Sequence, residues 1–346
     1  MKSWKSILAQ SITTPQQLAE HFNLDPAPLT QVVGRYPMRI NPYYLSLIKK
    51  PGDPIWMQAV PTPLELEDKV CYEDPLDEEN RSPVANLVHK YPDRALFLIA
   101  NQCAMYCRFC TRKRKVGTPA MMINQATMQA GFAYLKQTPA IRDVLISGGD
   151  PLLLDDATLT WILTNLRQIP SIEIIRIGSR VPCTLPMRIT TRLAGLLKKF
   201  HPLYINTHFN HPTEITEQAA LACARLANAG IPLGNQTVLL KGVNDNPETI
   251  GELMHKLLQI RVKPYYLFQT DMTRGTNHFR TKIETGLEII RSLIGHTSGM
   301  AVPTFAVDTP GGGGKIPLVP EYTTSIGREF KFLNYRGESC SYHNAL

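Results

Sequence analysis

The sequence predicts an α/β fold, a full or partial barrel of parallel strands surrounded by helices. Three observations carry this expectation. From about Arg94, short apolar runs alternate with longer amphipathic segments, the texture of βαβ units and a parallel sheet. Six or so such repeats follow one another, enough for most of a barrel. Polar motifs also close or follow the apolar runs, where barrel chemistry collects at strand C-termini. These motifs are the cysteines at 103–110, Ser147-Gly148-Gly149-Asp150, His208, Gln269-Thr270-Asp271 and Asp308.

Residues 1–85 read as an N-terminal extension of helices broken by prolines. Thr14-Pro15 supplies an N-cap and a first-turn proline for one of them. From Pro51 to Pro83 the chain is rich in proline and acid and reads as an extended, wrapping connector. Residues 86–315 form the expected barrel core. Its strands are predicted at Ala95–Ala100, Asp143–Ser147, Ile172–Ile177, Leu203–His208, Leu233–Leu239, Pro264–Gln269 and Val302–Val307. Helices are expected at Leu159–Gln168, Thr190–Lys199, Glu214–Ala229, Glu248–Ile260 and Thr281–Ile294. Residues 316–346 are a short C-terminal tail, irregular from Glu321.

The 346 residues, 43% of them hydrophobic, suffice for a large core and exclude wholesale disorder. The apolar stretch after Met1-Lys2-Ser3-Trp4-Lys5 is too brief for a signal peptide, and no run approaches a membrane span. Seven cysteines, odd in number and scattered, argue against a disulfide framework and for a reducing cytoplasm. Much of the net charge of +8 sits at Arg108, Arg112, Lys113, Arg114 and Lys115. Without interleaved aromatics this run does not read as a nucleic-acid surface. It suits an anionic cofactor or a carboxylate equally well.

Cys103, Cys107 and Cys110 lie directly after the first barrel strand. Structural zinc usually takes four ligands in paired C-x2-C units, and no second pair or nearby His completes such a set. Three thiolates at this spacing can hold three irons of a [4Fe–4S] cluster and leave the fourth open for a ligand. Lys315 follows Pro310-Gly311-Gly312-Gly313-Gly314. Thr309 and Ile316 break the phosphate-loop pattern. A lysine on a mobile glycine arm suits reversible imine formation and permits pyridoxal phosphate. The glycines of Ser147-Gly148-Gly149-Asp150 allow close approach to a ligand, with amides free for an amino or carboxylate group. Asp271 and Asp308 end separate strands and could face one pocket, where two carboxylates suit an alkylammonium. Arg112 offers a planar fork to a carboxylate. His208 and His211 fall in a loop-like stretch and are not read as metal ligands.

Cys103 to Cys110, Thr111-Arg112-Lys113-Arg114, Ser147 to Asp150 and Asp308 to Lys315 together resemble the lysine 2,3-aminomutase family of the radical S-adenosylmethionine superfamily. The likeness extends from about Ile12 and includes Pro42 to Ile48 and His89 to Arg94. It implies a radical S-adenosylmethionine barrel in which Cys103, Cys107 and Cys110 ligate the cluster. S-adenosylmethionine chelates the open iron and is cleaved to a 5′-deoxyadenosyl radical. Ser147, Gly148, Gly149 and Asp150 would contact that cofactor, with His208 and Gln236 lining the same site. Lys315 would hold pyridoxal phosphate as an imine, its phosphate near Lys90, Tyr91 and Arg94. Arg112 would bind the substrate carboxylate, and Asp271 and Asp308 its distal ammonium. The implied reaction interconverts L-α-lysine and L-β-lysine by radical migration of the amino group from C2 to C3. An external one-electron donor such as flavodoxin or ferredoxin is implied, and a homo-oligomer is allowed.

Three departures qualify the resemblance. Lys90 replaces the family's usual arginine, keeping charge but losing the fork. Asn246-Pro247 follows Val243-Asn244-Asp245 where well-known members have a zinc cysteine, and the tail carries only Cys340. The zinc site is therefore expected to be absent, which removes the basis for the associated tetramer. Phe109 stands where those members have histidine. Alternative activities are a relative acting on arginine or one making β-lysine for elongation factor P. A non-catalytic iron–sulfur module would explain the cysteines but not Lys315, Asp271 and Asp308.

Overall fold

The computed structural model describes residues 3–345. Five short helices open the chain, at Trp4–Ala9, Pro15–Phe22, Ala27–Arg35, Pro42–Leu45 and Pro54–Ala59. At the second, the Thr14 side chain accepts from the Gln17 amide while the Gln17 side chain accepts from the Thr14 amide, which satisfies two donors that a helix start leaves bare.

The core is one nine-stranded sheet in chain order. Its strands are β1 (Leu87–Tyr91), β2 (Arg94–Ala100), β3 (Asp143–Gly148), β4 (Ile174–Gly178), β5 (Leu203–Thr207), β6 (Leu233–Leu239), β7 (Lys263–Gln269), β8 (Thr304–Thr309) and β9 (Gly314–Pro317). From β2 to β8 all pairings are parallel, and β1 and β9 add antiparallel edges. The expected α/β barrel is present in its partial form. Side chains bridge the seam between its edges: Lys90 Nζ lies 3.1 Å from Asp308 Oδ1, and the Lys315 amide donates to Tyr91 Oη at 3.1 Å.

All seven predicted strands are observed within two residues at either end. The crossovers are capped as their sequences dictate. Asp155, Thr216 and Asn246 each accept an amide of the first turn, opening Asp156–Arg167, Glu217–Asn228 and Pro247–Gln259. The tail departs from expectation. It is an antiparallel meander of β10 (Thr323–Ser325), β11 (Glu329–Leu333) and β12 (Ser339–His343). Its strands are short and largely exposed, and the half-buried Phe330 and Phe332, alternating with Glu329 and Lys331, mark its inner face together with Cys340 and Thr323, which pair with Phe332.

Period-two alternation divides the barrel strands between two environments. On β3, Val144 and Ile146 are buried beneath the helices while Asp143, Leu145 and Ser147 face inward. On β4, Ile175 and Ile177 are buried, and Arg176 and Gly178 face inward. Gln236 of β6 and Tyr266 and Phe268 of β7 join the inward set. The apolar core therefore lies between sheet and helices, and the barrel interior mixes charged and aromatic side chains with a few aliphatic ones such as Leu96 and Leu145. No helix among the described residues is long and apolar enough to cross a membrane.

Candidate active site

The cysteine loop is paired, backbone to backbone, with the N-terminal segment. Tyr106 N–H donates to the Arg39 carbonyl at 3.0 Å and Arg108 N–H to the Gln58 carbonyl at 2.9 Å. Arg108 and Lys113, both buried, converge on the buried Glu65 at 2.6 Å and 2.8 Å. All three cysteines are free thiols lining one small cavity. Burial and neighbouring acidic groups push Cys103 well above the usual thiol range, and burial and Cys107 push Cys110 up. Two donors face these sulfurs: Arg180 Nη1 lies 2.9 Å from Cys107 Sγ, and the Arg112 amide 3.3 Å from Cys110 Sγ. Among the described residues no trio of His, Cys, Asp or Glu closes around a single ion. Three half-buried thiols on one small cavity, beside cationic and amide donors, fit a multi-iron cluster whose sulfurs carry charge.

The Ser147–Asp150 turn packs against the start of that loop. A Cβ on Gly148 would lie 2.3 Å from the Ala100 carbonyl, and one on Gly149 2.6 Å from that of Gln102. The glycines thus admit the chain's own backbone. The expectation of free amides is corrected here, since Gly149 N–H donates to Ala100 O and Asp150 N–H to Gln102 O. Asp150 is also engaged, its carboxylate accepting from Ser179 Oγ and from the amides of Leu152, Arg180 and Val181. Despite these bonds burial lifts it to about 6. His208 is half-buried beside Arg180, and desolvation pushes it down to about 3, hence neutral. Its Nε2 lies 2.9 Å from Asn210 Oδ1, and its ring lies 5.5 Å from that of Phe109.

A cavity of about 570 Å³ occupies the barrel interior. Lys90, Tyr91, Arg94, Arg112, Ser147, Gln236, Asp271, Asp308 and Lys315 all line it, whereas Gly148, Gly149, Asp150, His208 and the cysteines do not. Asp308, only 7% exposed, lies between two ammonium groups, Lys315 at 2.6 Å and Lys90 at 3.1 Å. Burial and then Asp308 push Asp271 up to about 7. Stacked Tyr266 and Phe268 rings, 4.8 Å apart, form a flat wall, with Lys315 Nζ 5.5 Å from the Phe268 ring centre. The Arg94 guanidinium lies 3.9 Å over the Tyr91 ring. A flat aromatic wall, a lysine on a glycine arm and cations on the β1–β2 hairpin fit a planar phosphorylated cofactor. Lys90 and Lys315 are both tied to Asp308, and Arg94 to Asp93 at 2.9 Å.

Two side chains at the site escape sequence reasoning. Glu78 lines the cavity and grips Arg112, accepting from Nε at 2.9 Å and also from Nη2. It belongs to an acidic strap whose Asp74 and Glu79 bind Arg114 and Lys115. The local positive charge is therefore matched within the chain. Only the acidic composition of the connector hinted at this pairing. Arg180 follows β4 directly, so the strand-end rule that exposed the other motifs could have found it.

This partial barrel, with three thiols after its first parallel strand, has the architecture of radical S-adenosylmethionine enzymes, and residues 97–256 match the Radical SAM superfamily. Residues 290–345 match Lysine-2,3-aminomutase. The chain is 49% identical to an L-lysine 2,3-aminomutase from Clostridium subterminale, over 99% of its own length and 84% of the relative's. It is 53% identical to one from Methanococcus maripaludis, over 91% and 74%. A glutamate 2,3-aminomutase from Clostridioides difficile is 47% identical over 88% and 73%. The chain belongs to the lysine 2,3-aminomutase family and is an isomerase of the aminomutase type. This removes the reading as a non-catalytic iron–sulfur module.

Proposed function

We propose that this enzyme interconverts L-α-lysine and L-β-lysine. One observation carries the choice: Arg112, Asp271, Asp308 and Lys315 line a single cavity. Identity alone separates lysine-named from glutamate-named relatives by a few per cent, so these side chains decide. A lysine offers a carboxylate to the Arg112 fork and an ammonium to the two aspartates. A glutamate side chain would meet Asp271 and Asp308, both of its own sign.

Cys103, Cys107 and Cys110 would hold a [4Fe–4S] cluster, with S-adenosylmethionine near Ser147, the Gly148-Gly149-Asp150 turn, His208 and Gln236. The engaged amides and Asp150 carboxylate leave carbonyls as the turn's acceptors, which suits an ammonium. Lys315, Tyr91, Arg94 and Lys90 would hold pyridoxal phosphate against the Tyr266–Phe268 wall. When bound, these groups supply the initiating radical and a conjugated system that delocalises the unpaired electron. The protein orients them and excludes water. Asp308 keeps the Lys315 amine positioned at 2.6 Å, and Glu78 sets the plane of Arg112. A low-potential donor of the flavodoxin or ferredoxin kind in a reducing cytoplasm suits such a cluster.

The test is an anaerobic assay with reconstituted cluster, S-adenosylmethionine, pyridoxal phosphate, reductant and L-lysine. β-Lysine is the expected product. Deoxyadenosine without β-lysine would refute the substrate, and arginine and glutamate would then be tried.

A further inference from the structure

Arg180 is a buried cation whose donors are distributed among fixed partners. It stands two residues past β4 (Ile174–Gly178), its amide clamped by the Asp150 carboxylate at 2.8 Å. Its side chain is 9% exposed. Nη2 donates to Glu214 Oε1 at 2.7 Å and Gln58 Oε1 at 2.6 Å, and Nε donates to the His208 carbonyl at 3.3 Å. The guanidinium also lies 5.2 Å from the Phe109 ring centre. Nη1 reaches Cys107 Sγ at 2.9 Å. Glu214 is itself saturated: Oε1 also accepts from Tyr44 Oη at 2.6 Å, and Oε2 accepts from the Asn210 and His211 amides. One carboxylate balances the cation from behind, and a sulfur receives it in front.

The geometry points to Arg180 as the positioning residue that sets the reduction potential of the cluster through Cys107. This inference rests on the reading of Cys103, Cys107 and Cys110 as cluster ligands. Those sulfurs are treated unequally, because Cys107 receives a charged N–H while Cys110 receives a neutral amide at 3.3 Å. Reduction adds one electron from a low-potential one-electron carrier, which loses one, and lowers the net charge of the cluster by one unit with no proton required. A fixed cation and an N–H donor on a ligand sulfur stabilise the more negative state. Burial keeps water from screening that charge. Arg180 therefore brings the reduced cluster within reach of its donor. Through Asp150, the Gly148-Gly149 turn fixes the backbone from which it projects.

The test is a potentiometric titration of the anaerobically reconstituted enzyme, read by the paramagnetic resonance of the reduced cluster, with iron and sulfide assayed for every sample. Arg180→Gln is expected to hold about tenfold less reduced cluster, relative to oxidised, at a fixed potential, a shift of about 59 mV for one electron. Arg180→Lys, which keeps the charge, should fall between the two. Glu214→Gln removes the balancing carboxylate and should shift the midpoint the other way, so the inference stays testable even if Arg180→Gln fails to fold. Wild-type midpoints in either Gln variant at full cluster content would overturn it. Wild-type protein that takes up no four-iron cluster would instead refute the ligand reading beneath it.

Discussion

Asp271 shows how burial sets the working range of a single residue. Burial and Asp308 raise it to about 7, far above the ordinary carboxylate value. A bound ammonium favours the ionised form, so below pH 7 binding must first expel a proton. KM for lysine should therefore rise about fivefold between pH 7 and pH 6, about tenfold in all from its plateau above pH 8. Asp271→Asn should raise KM and lose that slope; a parallel pH profile in both proteins would dissociate Asp271 from the ammonium. The same shift acts on stability. Because the folded value exceeds the unfolded one, Asp271 costs stability as pH rises from about 4 through 7, and the melting temperature of Asp271→Asn should vary less across that window. Glu78 makes a second case. Its two-point hold on Arg112 is a charge-assisted pair worth about 1.5–3 kcal/mol. Glu78→Gln should raise KM for lysine roughly tenfold with kcat little changed, which steady-state kinetics would read. The Arg112 fork was visible in the sequence, but its clasp was not. Arg112 sits in a motif of fixed spacing, whereas Glu78 is one acid among several in a connector with no periodicity.

The strands and helices that sequence reasoning located are those with a clear period and a capping residue. Asp155, Thr216 and Asn246 announce their helices, and β6 is found to the residue although only Leu233 and Leu239 of its buried face are apolar, Asn235 and Thr237 being the other two. β1 and β9 were not anticipated, and both are antiparallel edges that close the site. β9 holds a glycine and a proline in four residues, a composition that reads as loop, and its pairing partner is set by the turn at Gly311–Gly314. Helix–sheet packing also has requirements that sequence does not display. A Cβ on Gly286, in the helix Ile283–Leu293, would lie 2.1 Å from the Phe305 ring of β8. Gly286→Ala gains about 1 kcal/mol of helix propensity and meets an overpacking penalty of about 1–3 kcal/mol. The contact is with a buried ring that has little room to retreat, so the variant should be less stable than the parent. Chemical denaturation would show this as a lower midpoint at unchanged m-value.

At the scale of the whole molecule, the acidic strap joins parts of the site that the chain visits far apart. Tyr72 exchanges backbone hydrogen bonds with Met272 and Arg274, in the loop bearing Asp271. Asp74, Glu78 and Glu79 pair with Arg114, Arg112 and Lys115 after the cysteines. The Pro75 carbonyl accepts the Gly311 amide on the arm that carries Lys315. One segment thus touches the cluster loop, the aspartate loop and the lysine arm together. Its ion pairs at Asp74 and Glu79 are partly exposed and worth about 0–1 kcal/mol each, so it is held by several weak bonds and should open before the barrel does. Asp74→Asn combined with Glu79→Gln should therefore speed exchange of the Gly311 amide by about three- to tenfold, leaving amides of β3 and β4 unchanged. Raising the salt should narrow the difference between variant and parent, because screening weakens the same pairs in the parent. Equal exchange at Gly311 in both proteins at low salt would show that the arm is anchored by its own turn, and that the strap covers the cavity without controlling it.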